Sequence, residues 1–186
     1  MNRTRLQSLI IIALFAAIIG ILAQVAVPLP FGVPITGQTL AIGLAATILG
    51  SRHGTYASIL YIIMGAIGIP VFSQMTSGIG IVVGPTGGFI VGFIPAAYLI
   101  GKYLEKTSFT VTNAFIANII GMFVTLIFGT AWLKFVADLT WTAAFLGGFA
   151  PFIIVGLIKA FLASWIGIIV RNRLESAKIL TVPVKN

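Results

Sequence analysis

Lys159 stands inside an apolar stretch, residues 146–170, that contains no Asp or Glu. A helix opening near 146–151 would carry it about 12–20 Å along the axis at roughly 1.5 Å per residue, deep within a bilayer. A lysine there costs at least about 2.5–3.5 kcal/mol to insert, and snorkelling relieves only part of that. Such an ammonium meets an anion, is held by backbone carbonyls, or is neutral. Ionisable groups are seldom idle inside membranes, which favours a contact with ligand. A second feature is Gly84-Pro-Thr-Gly-Gly88, the opening of a helix. Unpaired N–H groups and a partial positive charge at such an opening suit an anion or a carbonyl oxygen. Thr86 is placed to cap it, although glycines that merely permit a tight turn explain the same residues. A third is the small-residue stripe Ala13, Ala16, Ala17, Gly20 and Ala23, which ends at Gln24. It lets another helix approach closely, whether from this chain or from a separate membrane subunit.

Other chemistry is missing. The chain has no G-x-x-x-x-G-K-[ST], no G-x-S-x-G and no H-E-x-x-H, so phosphate cradling, serine hydrolysis and zinc proteolysis lack their residues. With no cysteine and a single histidine, a structural metal or cluster is not expected, and no cofactor or enzymatic activity is indicated. His53 falls in Gly50-Ser-Arg-His-Gly54 and reads as a solvated turn residue. The three acids, Glu105, Asp138 and Glu175, all lie near the ends of apolar runs. Ion-coupled carriers keep carboxylates within the membrane, so uphill transport here would draw its energy from another protein.

The elements that must position these residues follow from composition. Of 186 residues, 59% are hydrophobic and 8% charged, against about 45–50% and 25% in soluble domains. A bilayer is the solvent that fits. Apolar runs cover 8–27, 39–50, 55–71, 86–103, 111–136 and 146–170. They predict an all-α membrane protein, a single domain over 1–186 built as a compact bundle of six transmembrane helices. The connection from Pro28 to Gly37 is too rich in proline to be helical. Residues 72–88 read as a Gly-rich outer loop between helices three and four. The first run is longer than a signal-peptide core and reads as a retained helix. An even number of spans puts both termini on one side. That side then holds Arg3, Arg5, Arg52, Lys102, Lys106, Arg171, Arg173, Lys178 and Lys185, while Lys134 is alone opposite. The bias predicts cytoplasmic termini in a multi-pass cell-membrane protein. It also accounts for the net charge of +8 without nucleic acid.

Val33-Pro-Ile-Thr-Gly-Gln-Thr39, Tyr61-Ile-Ile-Met-Gly-Ala-Ile-Gly-Ile-Pro-Val-Phe72, Gly84-Pro-Thr-Gly-Gly-Phe-Ile-Val-Gly-Phe93, and Pro151-Phe152 followed by Lys159 together resemble the BioY family of biotin transport proteins. The resemblance runs from about Val33 to Lys159. It implies a substrate-binding S component of an energy-coupling factor transporter, with six helices and biotin bound at the extracellular side. Its partners would be a membrane coupling subunit and two ATPases, and Ala13 and Ala17 would belong to the docking surface with Ala16 and Gly20. One departure stands out: the family commonly has an Asp three residues before the last-helix lysine, and here that position is Gly156. Contacts to the ligand head group then fall to Gln38, Thr36, backbone carbonyls or Asn118. One cavity is expected to be lined by Lys159, Gln38, Thr36 and the helix start Thr86, Gly87 and Gly88, with Pro151 and Phe152 near its mouth. An S component for another small vitamin, or a stand-alone facilitator, are the competing readings.

Overall fold

Inside a membrane the backbone must satisfy its own hydrogen bonds, and this chain does so almost wholly through helices. A computed structural model describes residues 3–29 and 33–180; Lys185 and the middle of the Pro-rich connection, 30–32, lie outside the described residues. Helix α1 (Arg3–Ala23) leads into a two-stranded antiparallel ribbon, β1 (Ala26–Val27) and β2 (Ile35–Thr36), with Ala26 opposite Thr36. There follow α2 (Gln38–Ala66), a 3-10 turn at Ser73–Met75, α3 (Ile79–Val83), α4 (Gly87–Lys106), α5 (Val111–Val136), α6 (Trp141–Gly148) and α7 (Phe152–Ser176). Among the described residues, four stretches are long and apolar enough to cross a membrane: Arg5–Ala23, Gly87–Lys106, Val111–Val136 and Trp141–Ser176.

Helix α2 is not straight. Gly50 takes φ +80, outside the helical region and in a conformation that glycine adopts without a Cβ penalty. Beyond it the chain doubles back, because Gln38 hydrogen-bonds Tyr61, a residue that a straight helix would hold about 35 Å away. The arms 38–49 and 51–66 thus correspond to the second and third apolar runs. The expected turn shrinks to Gly50 alone, which puts His53 within the helix, half-buried, rather than in a solvated loop.

Charged groups tie this reversal. The Glu105 carboxylate accepts from the Ser51 backbone N–H at 2.7 Å and from the Ser51 hydroxyl at 2.8 Å. Arg171 donates to the Ile48 carbonyl at 2.6 Å, pairs with Glu175 at 2.7 Å and stacks 3.5 Å from the centre of the Phe109 ring. Helix α4 packs against α2 and α5 through its glycines: Gly101 against the Gly50–Ser51 backbone, Gly88 against Trp132, and Gly92 against Phe128.

Three expectations change. The Gly-rich stretch is partly ordered as the 3-10 turn and α3. The last apolar run is divided into α6 and α7 just before Phe152, because Pro151 removes a donor while fitting a helix start. Thr86 occupies the capping position of α4 without a side-chain capping bond, whereas Thr110 and Thr140 do cap α5 and α6, accepting from Asn113 and Ala143.

A Cβ at position 101 would overlap the backbone of Gly50 and Ser51, which cannot move aside as a side chain can. Gly101→Ala should therefore lower stability in detergent by about 1–3 kcal/mol, the usual cost of overpacking. Gly80→Ala, where the added Cβ meets nothing within 4 Å, should leave the melting temperature unchanged. Equal melting temperatures for the two variants would refute the close α2–α4 approach.

Candidate functional site

The polar groups that the helices cannot absorb converge on one cavity of about 330 Å³. Its walls come from the ribbon, the first arm of α2, the segment 72–76, α4, α5 and α7. Most of the lining is apolar, with Phe72, Phe89, Phe93, Phe152, Ile42 and Leu126 facing the space. The Phe89 and Phe152 rings lie 6.1 Å apart and join α4 to α7 across it.

Lys159 enters from the second turn of α7. Its Nζ donates to the Thr36 carbonyl at 2.6 Å and to Thr39 Oγ1 at 3.2 Å. Among the described residues no carboxylate pairs with it: Glu105 is engaged at Ser51 and Lys102, and Glu175 at Arg171. An ammonium has three donors and two are used, so the third can meet an acceptor in the cavity. The carbonyl of Thr36 is available because β2 ends there, at the junction with α2.

Gln38 is the first residue of α2, and its side chain is held on both sides. Thr36 Oγ1 donates to Gln38 Oε1 at 2.8 Å, and Gln38 Nε2 donates to the Tyr61 hydroxyl. Tyr61 is fully buried, edge-on to Phe72 at 5.6 Å between ring centres. Asn118 of α5 lines the opposite side. Its amide donates to Thr47 Oγ1 at 3.0 Å, the Ala114 carbonyl at 2.9 Å and Ser164 Oγ at 3.2 Å, which ties α2, α5 and α7 together. With those donors occupied, Asn118 offers the cavity at most its oxygen.

Of the residues expected at the site, Lys159, Thr36, Gln38, Thr86, Phe152, Gly156 and Asn118 all line this cavity. Gly87 and Gly88 do not. They are buried against Val82 and Trp132, so they serve helix packing, and Pro151 is also outside the lining. Gly156 leaves room for the Met122 side chain, whose sulfur occupies the place of a Cβ. The α1 stripe divides. Ala16 and Gly20 are covered by this chain, Gly20 against Val71, while Ala13 and Ala17 are exposed beside Leu9, Ile10 and Leu14. Ala16 and Gly20 are thus corrected to interior packing positions.

Sequence reasoning missed Tyr61, Met122 and the lining residues Ser73, Gln74 and Thr76. A signal existed for Tyr61, since a tyrosine within an apolar run must find a partner for its hydroxyl.

A sequence model of the BioY family matches residues 1–176. A Lactococcus lactis protein described as biotin transporter BioY2 is 46% identical over 168 residues, 90% of this chain and 92% of that one. A Thermotoga maritima biotin transporter BioY is 36% identical, covering 88% of this chain and 95% of the relative. Among solved structures, a crystal structure of the S-component for biotin from an ECF-type ABC transporter superposes with a TM-score of 0.84 at 27% identity, covering 92% of this chain and 94% of the other.

Asn118→Ala would leave the hydroxyls of Thr47 and Ser164 without their shared donor. The expected loss is about 1–3 kcal/mol of stability, read as a lower melting temperature. Ser164→Ala should cost less, because the Ser164 hydroxyl donates mainly to its own helix, at the Ala160 carbonyl. The reverse order would show that the three-helix junction does not depend on Asn118.

Proposed function

The chain belongs to the BioY family, and from that premise we propose that biotin binds in the cavity beneath the ribbon. The protein is a biotin transporter subunit of the S-component type. The observation that carries the site is Lys159, an ammonium inside an apolar cavity with only a backbone carbonyl and a hydroxyl as partners. Biotin has a ureido group with two N–H donors and a carbonyl acceptor, a thioether ring and a carboxylate tail. Lys159 can receive either the carboxylate or the ureido carbonyl. Gln38, Thr36 and the Asn118 oxygen offer acceptors for the ureido N–H groups, while Phe93, Phe152 and Met122, which fills the space left by Gly156, pack against the rings. A volume of about 330 Å³ falls at the small end of ligand pockets, roughly 300–1,000 Å³.

Six crossing segments are formed by α1, the two arms of α2, α4, α5 and the α6–α7 pair. Both termini face the cytoplasm of a cell-membrane protein, by the distribution of lysine and arginine, and the cavity opens to the outside. The energy for uptake comes from a membrane coupling subunit and two ATPases, as the resemblance to S components of energy-coupling factor transporters implies. The exposed face of α1 at Ala13 and Ala17 is the surface that meets the coupling subunit.

Lys159→Ala should weaken biotin binding by about 2–5 kcal/mol, the cost of removing one partner of a desolvated charged contact. Calorimetric titration of the purified protein measures this, and unchanged affinity would remove Lys159 from the site. A separate prediction isolates coupling from binding. Ala13→Trp or Ala17→Trp should abolish ATP-driven uptake in vesicles containing the coupling module. Biotin affinity should stay within about 0.5 kcal/mol, because neither residue lines the cavity and distant sites act independently. Uptake that survives both changes would place the docking surface elsewhere.

A further inference from the structure

Gln24 follows the last turn of α1 and reaches across to residues 71–75. Its Nε2 donates to the carbonyls of Gly20 at 2.8 Å, Phe72 at 3.1 Å and Val71 at 3.4 Å, while its Oε1 accepts from the Met75 N–H at 2.8 Å. Every polar atom of this half-buried side chain is committed to backbone, and most of its partners belong to one strap of chain. The strap is a wall of the cavity, since Phe72, Ser73, Gln74 and Thr76 line it.

One end of the strap is firmly anchored. Val71 packs on Gly20, and the Phe72 ring is seated over Gly65 and edge-on to Tyr61. Past Phe72 the anchoring changes. Gln74 and Met75 have φ of +57 and +58, the left-handed region that non-glycine residues avoid. Met75 is 65% exposed, so packing does not hold it. The tip closes on itself through Phe72 N–H to the Thr76 carbonyl at 3.1 Å and Thr76 N–H to the Ser73 carbonyl at 3.3 Å. Among the described residues, the bond from Met75 to Gln24 is the only hydrogen bond of residues 73–76 that leaves the strap. Strained backbone persists only where its surroundings over-determine it, and here the external constraint is one side-chain amide.

We propose that Gln24 is a positioning residue for ligand retention: it latches the strap 72–76 against the cavity, so that bound biotin escapes when these bonds open. The proposal rests on the reading of the cavity as the biotin site. Gln24 touches no ligand itself and acts through the strap.

The test uses the full chain in detergent or nanodiscs, comparing the unmodified protein with Gln24→Ala. Labelled biotin is chased with excess unlabelled biotin, and backbone hydrogen exchange is followed without biotin. Dissociation should accelerate about tenfold, as expected when an interface loses a few hydrogen bonds and the change falls mainly on the off-rate. Exchange should quicken at 73–76 while 38–49 and 87–106 stay protected. If the alanine variant does not fold, Gln24→Met, of similar length without hydrogen bonds, takes its place, and failure of both to fold would overturn the proposal in favour of a purely structural role. Loosening spread equally over α2 and α4 would overturn it too. If the unmodified protein binds no biotin, the site reading fails and the exchange measurement still decides the latch. If biotin binds normally and leaves the variant within about twofold of the original rate, the latch is overturned and the site reading stands.

Discussion

Lys159 Nζ lies 2.6 Å from the carbonyl of Thr36, a residue 123 positions earlier in the chain, and much of the architecture exists to make that contact possible. A half-buried ammonium without a carboxylate needs dipoles fixed in place. A helical carbonyl shares its lone pairs with its own helix, so a carbonyl of irregular backbone is the less encumbered acceptor. Irregular backbone is tolerated at membrane depth only where it is buried in protein or lines a cavity, and only if its remaining groups find partners. The ribbon meets that requirement. β1 pairs with β2, and the Gly37 N–H reaches the Val25 carbonyl at 2.8 Å. Any Cβ at Gly37 would collide with the Leu22 carbonyl, so the end of α1 and the start of α2 touch backbone to backbone. The lysine of the last helix, the entry into α2 and the exit from α1 are therefore a single assembly.

The two ends of the bundle are built differently. At the end holding the Gly50 reversal, ionised groups close on backbone: Glu105 on Ser51, and Arg171 on Ile48 and Glu175. Charge-assisted bonds of this kind are short and strong, and they brace α2, α4 and α7 from one side. At the cavity end the polar groups retain spare capacity: the third proton of Lys159, the oxygen of Asn118, and the hydroxyl of Ser73, which is buried without a partner. Buried polar groups with unmet capacity cost stability. Thr130 Oγ1 and Arg171 Nε are also buried without a partner, away from the cavity lining, whereas Lys159, Asn118 and Ser73 all face the one cavity.

Legibility from the sequence followed the physics of each signal. Helix α5 spans Val111–Val136, the same limits as its apolar run, because Thr110 caps its start and no glycine or proline with special geometry interrupts it. Lys159 announced itself because a charge in an apolar run has few harmless explanations. The α1 stripe is shared between two faces. Ala16, Gly20 and Ala23 turn inward while Ala13 and Ala17 turn outward, and small residues carry too little hydrophobic contrast to reveal which side is buried. Gly87 and Gly88 illustrate a different limit, since glycine serves anion binding and close packing equally well by composition, and only Trp132 and Val82 lying against them decide for packing. Gln24 and Tyr61 were opaque for a third reason: their partners, Met75 and Gln38, lie 51 and 23 residues away, so no local pattern contains the pair.

Helix α1 has an unusual share of the work. Its inner line packs on this chain at Ala16 and Gly20, its outer line is exposed at Ala13 and Ala17, and its end passes directly into Gln24 and the ribbon. From Ala13 to Gln24 is about 16 Å along the axis, so the outer face and the cavity wall are too far apart to touch a common group. They are nevertheless joined by a single helix, which transmits a displacement better than a loop because its own hydrogen bonds resist shear. The exposed face at Ala13 and Ala17 therefore belongs to the same rigid element that ends at Gln24 and the ribbon.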